Sequence, residues 1–236
     1  DVRPHPHIGL ATVSYLFDGE IMHRDSLGTA VAIRPGEVNW MTAGRGIVHS
    51  ERTPGSHRVD HEPIHGLQMW VALPAAKEEM QAGFAHHATA EFPVVTENGT
   101  NVRVVVGSLY GAASPVPVVH ETFFGDVHLT AGATLPFDAD HEERALYVVD
   151  GSIEVDGETV TRNELAVLPP GAAHFRATAD CRLALVGGEP LDGPRHLWWN
   201  FVATTRERIE AAKDAWREQR FAPVPDETEF IPLPEH

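Results

Sequence analysis

Along most of the chain apolar residues alternate with polar ones over short stretches, and Gly, Pro, Asn and Asp interrupt the stretches. Thr12 to Phe17, Ala30 to Arg34, Gly66 to Leu73, Val102 to Val106, Val127 to Thr130, Ala145 to Val149, Leu165 to Leu168 and Arg182 to Val186 have strand length and β-branched or aromatic content. Turn dipeptides stand between them: Asp18-Gly19, Pro35-Gly36, Asn98-Gly99, Asp150-Gly151, Asp156-Gly157 and Pro170-Gly171. Many short strands at close spacing predict a β-sandwich or barrel. One segment reads as a helix: Thr204-Thr205-Arg206-Glu207 has capping-box spacing, and Ile209, Ala212, Ala215 and Trp216 then recur at helical intervals as far as Phe221. A shorter helix is expected around Ala75 to Gln81. The Pro-rich acidic stretch after Phe221 predicts an extended arm or a partly disordered one.

The pattern repeats. Tyr15-Leu16-Phe17-Asp18-Gly19-Glu20-Ile21 returns as Tyr147-Val148-Val149-Asp150-Gly151-Ser152-Ile153, 132 positions further on. Each copy is followed by a second block, Glu37-Val38 through Gly44 to His49 in one half and Glu164-Leu165 through Gly171 to His174 in the other. Two copies imply two similar β-domains with a boundary near Ser114-Pro115-Val116-Pro117. The expected division is residues 1–112, 113–190, and a helix with its Pro-rich tail over 191–236.

Composition narrows the function classes. The 236 residues carry 18 Lys and Arg against 34 Asp and Glu, a formal charge of −16, and no basic stripe offsets the deficit. Direct nucleic-acid contact, which draws on clustered basic residues, is excluded on that ground. No apolar run approaches the roughly 20 residues of a membrane span. A single cysteine, Cys181, forbids an intramolecular disulfide and fits a reducing compartment, so a cytoplasmic protein is expected. The surplus is in histidine, of which there are 15.

Four of the candidate ligands fall in two pairs. His5-Pro6-His7 places imidazoles at i and i+2, which in a strand point to one side about 6.6 Å apart. His49-Ser50-Glu51 does the same with an imidazole and a carboxylate. If both strands face one barrel interior, His5, His7, His49 and Glu51 converge. Three neutral nitrogen donors and one carboxylate suit Fe(II), Mn, Ni, Cu or Zn and leave coordination positions open.

These residues, with Thr12-Val13-Ser14-Tyr15-Leu16, Met22-His23-Arg24-Asp25-Ser26-Leu27-Gly28, the block Trp40 to Glu51, His65-Gly66-Leu67-Gln68-Met69-Trp70-Val71 and Gly188-Glu189-Pro190-Leu191, resemble the pirin family of the cupin superfamily. The resemblance runs from about Val2 to Phe221. It implies an all-β bicupin, two double-stranded β-helix (jelly-roll) barrels with a C-terminal α-helix. It further implies one mononuclear iron in the N-terminal barrel, at positions matching His5, His7, His49 and Glu51. The implied activity is dioxygenolytic cleavage of a flavonol such as quercetin, with O₂ as co-substrate and CO released. The alternative is a non-enzymatic, metal- and redox-dependent regulatory protein acting on a protein partner. The sequence departs from the general cupin pattern where Ala11 and Thr12 stand in place of a Glu after the second histidine. Glu51 must then supply the carboxylate, and it is the candidate base. Relatives also carry several dozen residues ahead of the His-Pro-His strand.

The repeat offers an internal control. At the same offset His5 and His7 become Phe137 and Ala139, and Arg176, two past His174, stands for Glu51. The second barrel is therefore expected to hold no metal, with His174 a turn or core residue. Other expectations are plainer. His23, Arg24 and Asp25 read as a solvated turn, and Trp40, Met41, Met69 and Trp70 as core. His65 and Gln68 divide evenly between pocket and packing. His57, His61, His86 and His87 read as loop residues, and Cys181 as buried and inert.

Overall fold

The computed structural model describes residues 1–55, 63–137, 141–171 and 173–235, so His57, His61 and Ala139 lie outside the described residues. Among the described residues the named elements are strands, two 3₁₀ turns and one C-terminal α-helix, and the chain divides into two compact units, 1–89 with 191–236, and 90–190.

The first unit holds β1 (Val2–His7), β2 (Leu10–Asp18), β3 (Ile21–Asp25), β4 (Ala30–Ile33), β5 (Val38–Thr42), β6 (Ile47–Arg52), β7 (His65–Ala72) and β8 (Gly83–His87). They form two antiparallel sheets in the orders β1-β6-β3-β4 and β7-β2-β5-β8. The sheets face one another, as the stacking of His23 on β3 against Phe84 on β8 shows. Leu10, Met41, Ala43 and Ile47 are buried in one apolar cluster of this unit. The second unit holds β9 (Val94–Glu97), β10 (Thr100–Val106), β11 (Ser108–Leu109), β12 (Ala112–Ala113), β13 (Thr122–Leu129), β14 (Thr134–Phe137), β15 (Glu143–Asp150), β16 (Ser152–Val155), β17 (Glu158–Thr161), β18 (Leu165–Val167), β19 (Ala173–Ala177) and β20 (Cys181–Gly188). Its sheets run β14-β19-β16-β17 and β18-β15-β20-β13-β10-β9. The order β14-β19-β16-β17 copies β1-β6-β3-β4 strand for strand, so the sequence repeat is a structural one.

The boundary differs from the expected one at 112–113. Val102 on β10 pairs with Val127 on β13, and β9 pairs with β10, so residues from Ala90 onward belong to the second unit. After Pro190 the chain returns to the first unit through the hairpin β21 (His196–Trp198) and β22 (Phe201–Ala203) and the helix α1 (Arg206–Arg217). Thr205 caps α1, its Oγ1 accepting from the Arg208 amide at 3.2 Å. Ile209, Ala212 and Trp216 bury the apolar stripe against Ile8 and Phe201. The helix stops before Phe221 because Gln219 adopts a left-handed φ of 54°.

Three other expectations change. The segment near Ala75 makes only a 3₁₀ turn, Ala75–Lys77, and beyond it the Glu78 carboxylate accepts from the Thr204 amide and hydroxyl. The Pro-rich tail is extended but pinned. Ile231 donates its amide to Pro4, Trp216 donates Nε1–H to Ile231, and Glu227 accepts from Ser50 and Arg52. His86 and His87 stand on β8 rather than in a loop, and His86 bonds Asn39. Among the described residues no helix is long and apolar enough to cross a membrane.

Candidate metal centre

β1 and β6 are paired so that His5 lies opposite His49 and His7 opposite Ile47. The i, i+2 alternation sends His5, His7 and His49 into the barrel, where they are 6%, 1% and 1% exposed. Gly9 turns the chain immediately after β1, with φ of 68°. A Cβ there would sit 1.9 Å from the Val202 carbonyl oxygen, so only glycine allows this exit from the ligand strand. The three rings form a triangle with centroid separations of 5.0, 4.3 and 5.0 Å. One nitrogen from each lies within 4.8 Å of the others.

Hydrogen bonds at the outer ring nitrogens decide which lone pairs face inward. Arg3 O accepts from His5 Nδ1 at 2.9 Å, which leaves His5 Nε2 bare. Behind His49 runs a relay: His23 Nε2 donates to Asp25 Oδ2 at 3.1 Å, and His49 Nδ1 reaches His23 Nδ1 at 3.4 Å. Asp25 is fully buried, and its Oδ1 accepts from the Leu27 and Thr29 amides. Burial alone would raise its pKa, but the bonds from His23 and Thr29 more than reverse this, so it is a carboxylate. That charge takes the proton of His23 Nε2, His23 Nδ1 takes that of His49, and His49 Nε2 is left as a bare donor. It faces His7 Nε2 at 3.1 Å. Two imidazole nitrogens bound to one ion at about 2.1 Å and a right angle stand about 3.0 Å apart. Burial, with the charge of His5 adding to it, lowers the His7 pKa to about 3. Burial and the neighbouring imidazoles push His49 well down, and burial lowers His5 as well. All three are therefore neutral at pH 7, the state a metal requires.

Three of the four expected ligands meet. Glu51 stands outside the cluster: its Oε1 accepts from Gln68 Nε2 at 2.6 Å, and Gln68 also reaches Ser14 Oγ at 3.1 Å. Its charge is still felt by His5, whose protonated form it favours. Two sequence expectations are corrected here. His23 and Asp25 are buried, 3% and 0% exposed, because they occupy inward positions of β3 rather than a solvated turn. Trp70 is 40% exposed, unlike Trp40 and Met41, and sets its ring edge-on to His7 at 5.4 Å.

Among its described residues the second unit has no counterpart of this group. Its register pairs Phe137 with Ala173, so Ala173, not His174, matches His49, and Phe175 matches Glu51. Val155 opposes Phe175 as His23 opposes Glu51. His174 and Arg176 instead match Ser50 and Arg52 and point outward. The interior positions are apolar core, with Phe137 packed on Phe175.

Family models match both halves of the chain. The family model described as Pirin matches residues 1–71, and that described as Pirin C-terminal cupin domain matches residues 124–222. The chain belongs to the pirin family. A pirin-like protein of Caulobacter vibrioides is 47% identical over 238 residues, covering 100% of this chain and 82% of that protein. Pirin-1 of Arabidopsis thaliana is 31% identical over 222 residues, with 90% of this chain and 75% of that one covered. Among solved structures, a crystal structure titled quercetin 2,3-dioxygenase from Acinetobacter baumannii superposes with a TM-score of 0.88 at 36% identity, covering 100% of this chain and 80% of that chain. This pirin-family chain thus carries, in its first cupin unit, a buried three-histidine group suited to a divalent metal.

Proposed function

We propose that the chain is a metal-dependent dioxygenase that cleaves flavonols of the quercetin type with O₂ and releases CO. The observation that carries this reading is the approach of two buried imidazole nitrogens, His7 Nε2 and His49 Nε2, at 3.1 Å beside a third at His5. The likeness to the quercetin dioxygenase structure supports the substrate class. Fe(II) is the assigned metal; Mn, Ni, Cu and Zn accept the same donors. When bound, the ion supplies Lewis acidity toward the flavonol oxygens and a path for electrons to O₂. His5, His7 and His49 hold it, and Glu51 serves as a fourth donor or leaves that position to substrate.

Glu51 also acts as the base. Gln68 fixes its Oε1, which leaves Oε2 to take the proton of the flavonol 3-hydroxyl. The half-exposed Trp70 indole beside His7 offers an aromatic wall for a flat substrate. Both atoms of O₂ then enter the ring-opened product and one ring carbon leaves as CO. A cytoplasmic setting fits the buried, unpaired Cys181.

Glu51→Gln tests the base role. The variant keeps size and an oxygen donor but loses the proton acceptor. Turnover per bound metal, at matched occupancy, should fall by about 10² to 10⁴. Near-equal turnover removes Glu51 from that role. Metal binding without flavonol turnover in either protein favours the regulatory alternative, in which the metal state is read by a protein partner.

A further inference from the structure

A second set of ligand-type side chains lies in the other unit, away from the apolar positions that match the first centre. Thr122 on β13 pairs with Gly188 on β20, so Glu121 and Glu189 sit one step beyond that pair at one end of the sheet. The Glu189 amide donates to the Glu121 carbonyl at 3.1 Å, and His120 Nε2 donates to the Glu189 carbonyl at 2.8 Å, which fixes both backbones. His141, just before β15, packs its ring on Phe123 at 4.5 Å and is 9% exposed. Its Nε2 donates to the Ser108 carbonyl at 3.3 Å.

With that proton on Nε2, Nδ1 is a bare acceptor. It is buried, has no hydrogen-bond partner among the described residues, and confronts Glu121 Oε1 at 3.5 Å. One donor atom each from Glu121, His141 and Glu189 lies within 4.8 Å of the others. Glu121 and His141 also line a cavity of about 440 Å³ with Ser108, Tyr110 and Phe137. Three acceptors turned on one point repel unless a cation stands between them.

We propose that the second unit binds a divalent first-row transition ion at Glu121, His141 and Glu189. One imidazole with two carboxylates is a mixed nitrogen and oxygen set that suits Zn²⁺ or Mn²⁺, and the open cavity leaves positions for water. The site is independent of the flavonol reading, because none of its residues belongs to the first centre.

Equilibrium dialysis against micromolar Zn²⁺, with elemental analysis per chain, tests it on the full-length protein. The wild type should bind two ions. Glu121→Gln combined with Glu189→Gln should lose one of them and His49→Ala the other, with circular dichroism unchanged. His141→Gln should reproduce the loss seen in the double glutamine variant. If the second ion is lost with Glu121 and Glu189 while His49→Ala changes nothing, the inference stands and the first centre falls. An unchanged count in the glutamine variants, or a single ion abolished by His49→Ala, overturns the inference.

Discussion

Asp25→Asn perturbs the metal centre without touching a ligand. In the relay, Asp25 Oδ2 accepts from His23 Nε2 at 3.1 Å, and His23 Nδ1 faces His49 Nδ1 at 3.4 Å. An asparagine keeps Oδ1, and with it the bonds from the Leu27 and Thr29 amides at 2.9 and 3.1 Å, so the turn is preserved. Its amide nitrogen then meets His23 Nε2 donor to donor. His23 relieves this by moving its proton to Nδ1, and His49 must in turn carry its proton on Nε2, the nitrogen that faces the metal. Binding then requires a return to the disfavoured tautomer against an unpaired buried donor. Loss of such an outer partner of a metal-bound histidine typically costs 10- to 100-fold in metal affinity, about 1.4 to 2.7 kcal/mol. Competition with a chromophoric chelator measures the affinity directly, and thermal unfolding of the metal-free protein separates it from folding. An Asp25→Asn affinity within a factor of two of wild type, beside a His49→Ala variant that has lost its metal, would refute the tautomer reasoning.

Three further outcomes follow from the same geometry. His174→Ala should leave metal content and activity unchanged, because His174 faces solvent and Ala173 fills the ligand position; lost metal on elemental analysis would contradict the register. Burial alone would raise the Glu227 pKa, but the bonds from Arg52 and Ser50 outweigh it and the net is lowered, so its clamp on the tail is intact above the ordinary carboxylate range and fails as pH falls through the lowered value. Glu227→Gln should therefore speed hydrogen exchange at the Ile231 amide at pH 7 and flatten its acid dependence, with about 1.5 to 3 kcal/mol at stake for charged hydrogen bonds. Burial pushes the Cys181 thiol up to about 11, so alkylation by iodoacetamide at pH 8 should be about a hundredfold or more slower than for a free thiol; an equal rate would show the site to be open.

The parts of the site written in short-range spacing were legible in the sequence. His5-Pro6-His7 and His49-Ser50-Glu51 announce inward pairs because strand side chains alternate, and the register of β1 on β6 brings them together. His23-Arg24-Asp25 carries the same spacing, and it was masked by the look of a charged turn; a His and a carboxylate at i and i+2 between apolar strands was the available signal. The withdrawal of Glu51 toward Gln68 depends on β7 lying beside β2, a pairing between distant segments that local pattern does not encode. The second unit shows the same limit. Its β1-like strand is displaced by 132 positions and its β6-like strand by 124, so matching His49 to His174, 125 positions on, misplaces that strand by one residue, which in a strand is the difference between core and solvent. The boundary shifted for a related reason: β10, with β9 paired to it, joins β13 across the expected boundary.

The central claim is that the three-histidine centre performs oxygenolytic ring cleavage. It is tested most directly by CO released per quercetin consumed under O₂ by the iron-loaded protein, with His49→Ala measured beside it. The account predicts one CO for each flavonol and each O₂ consumed, and none from His49→Ala. Iron bound by the wild type and lost in His49→Ala, with no O₂-dependent flavonol loss in either protein, would contradict it.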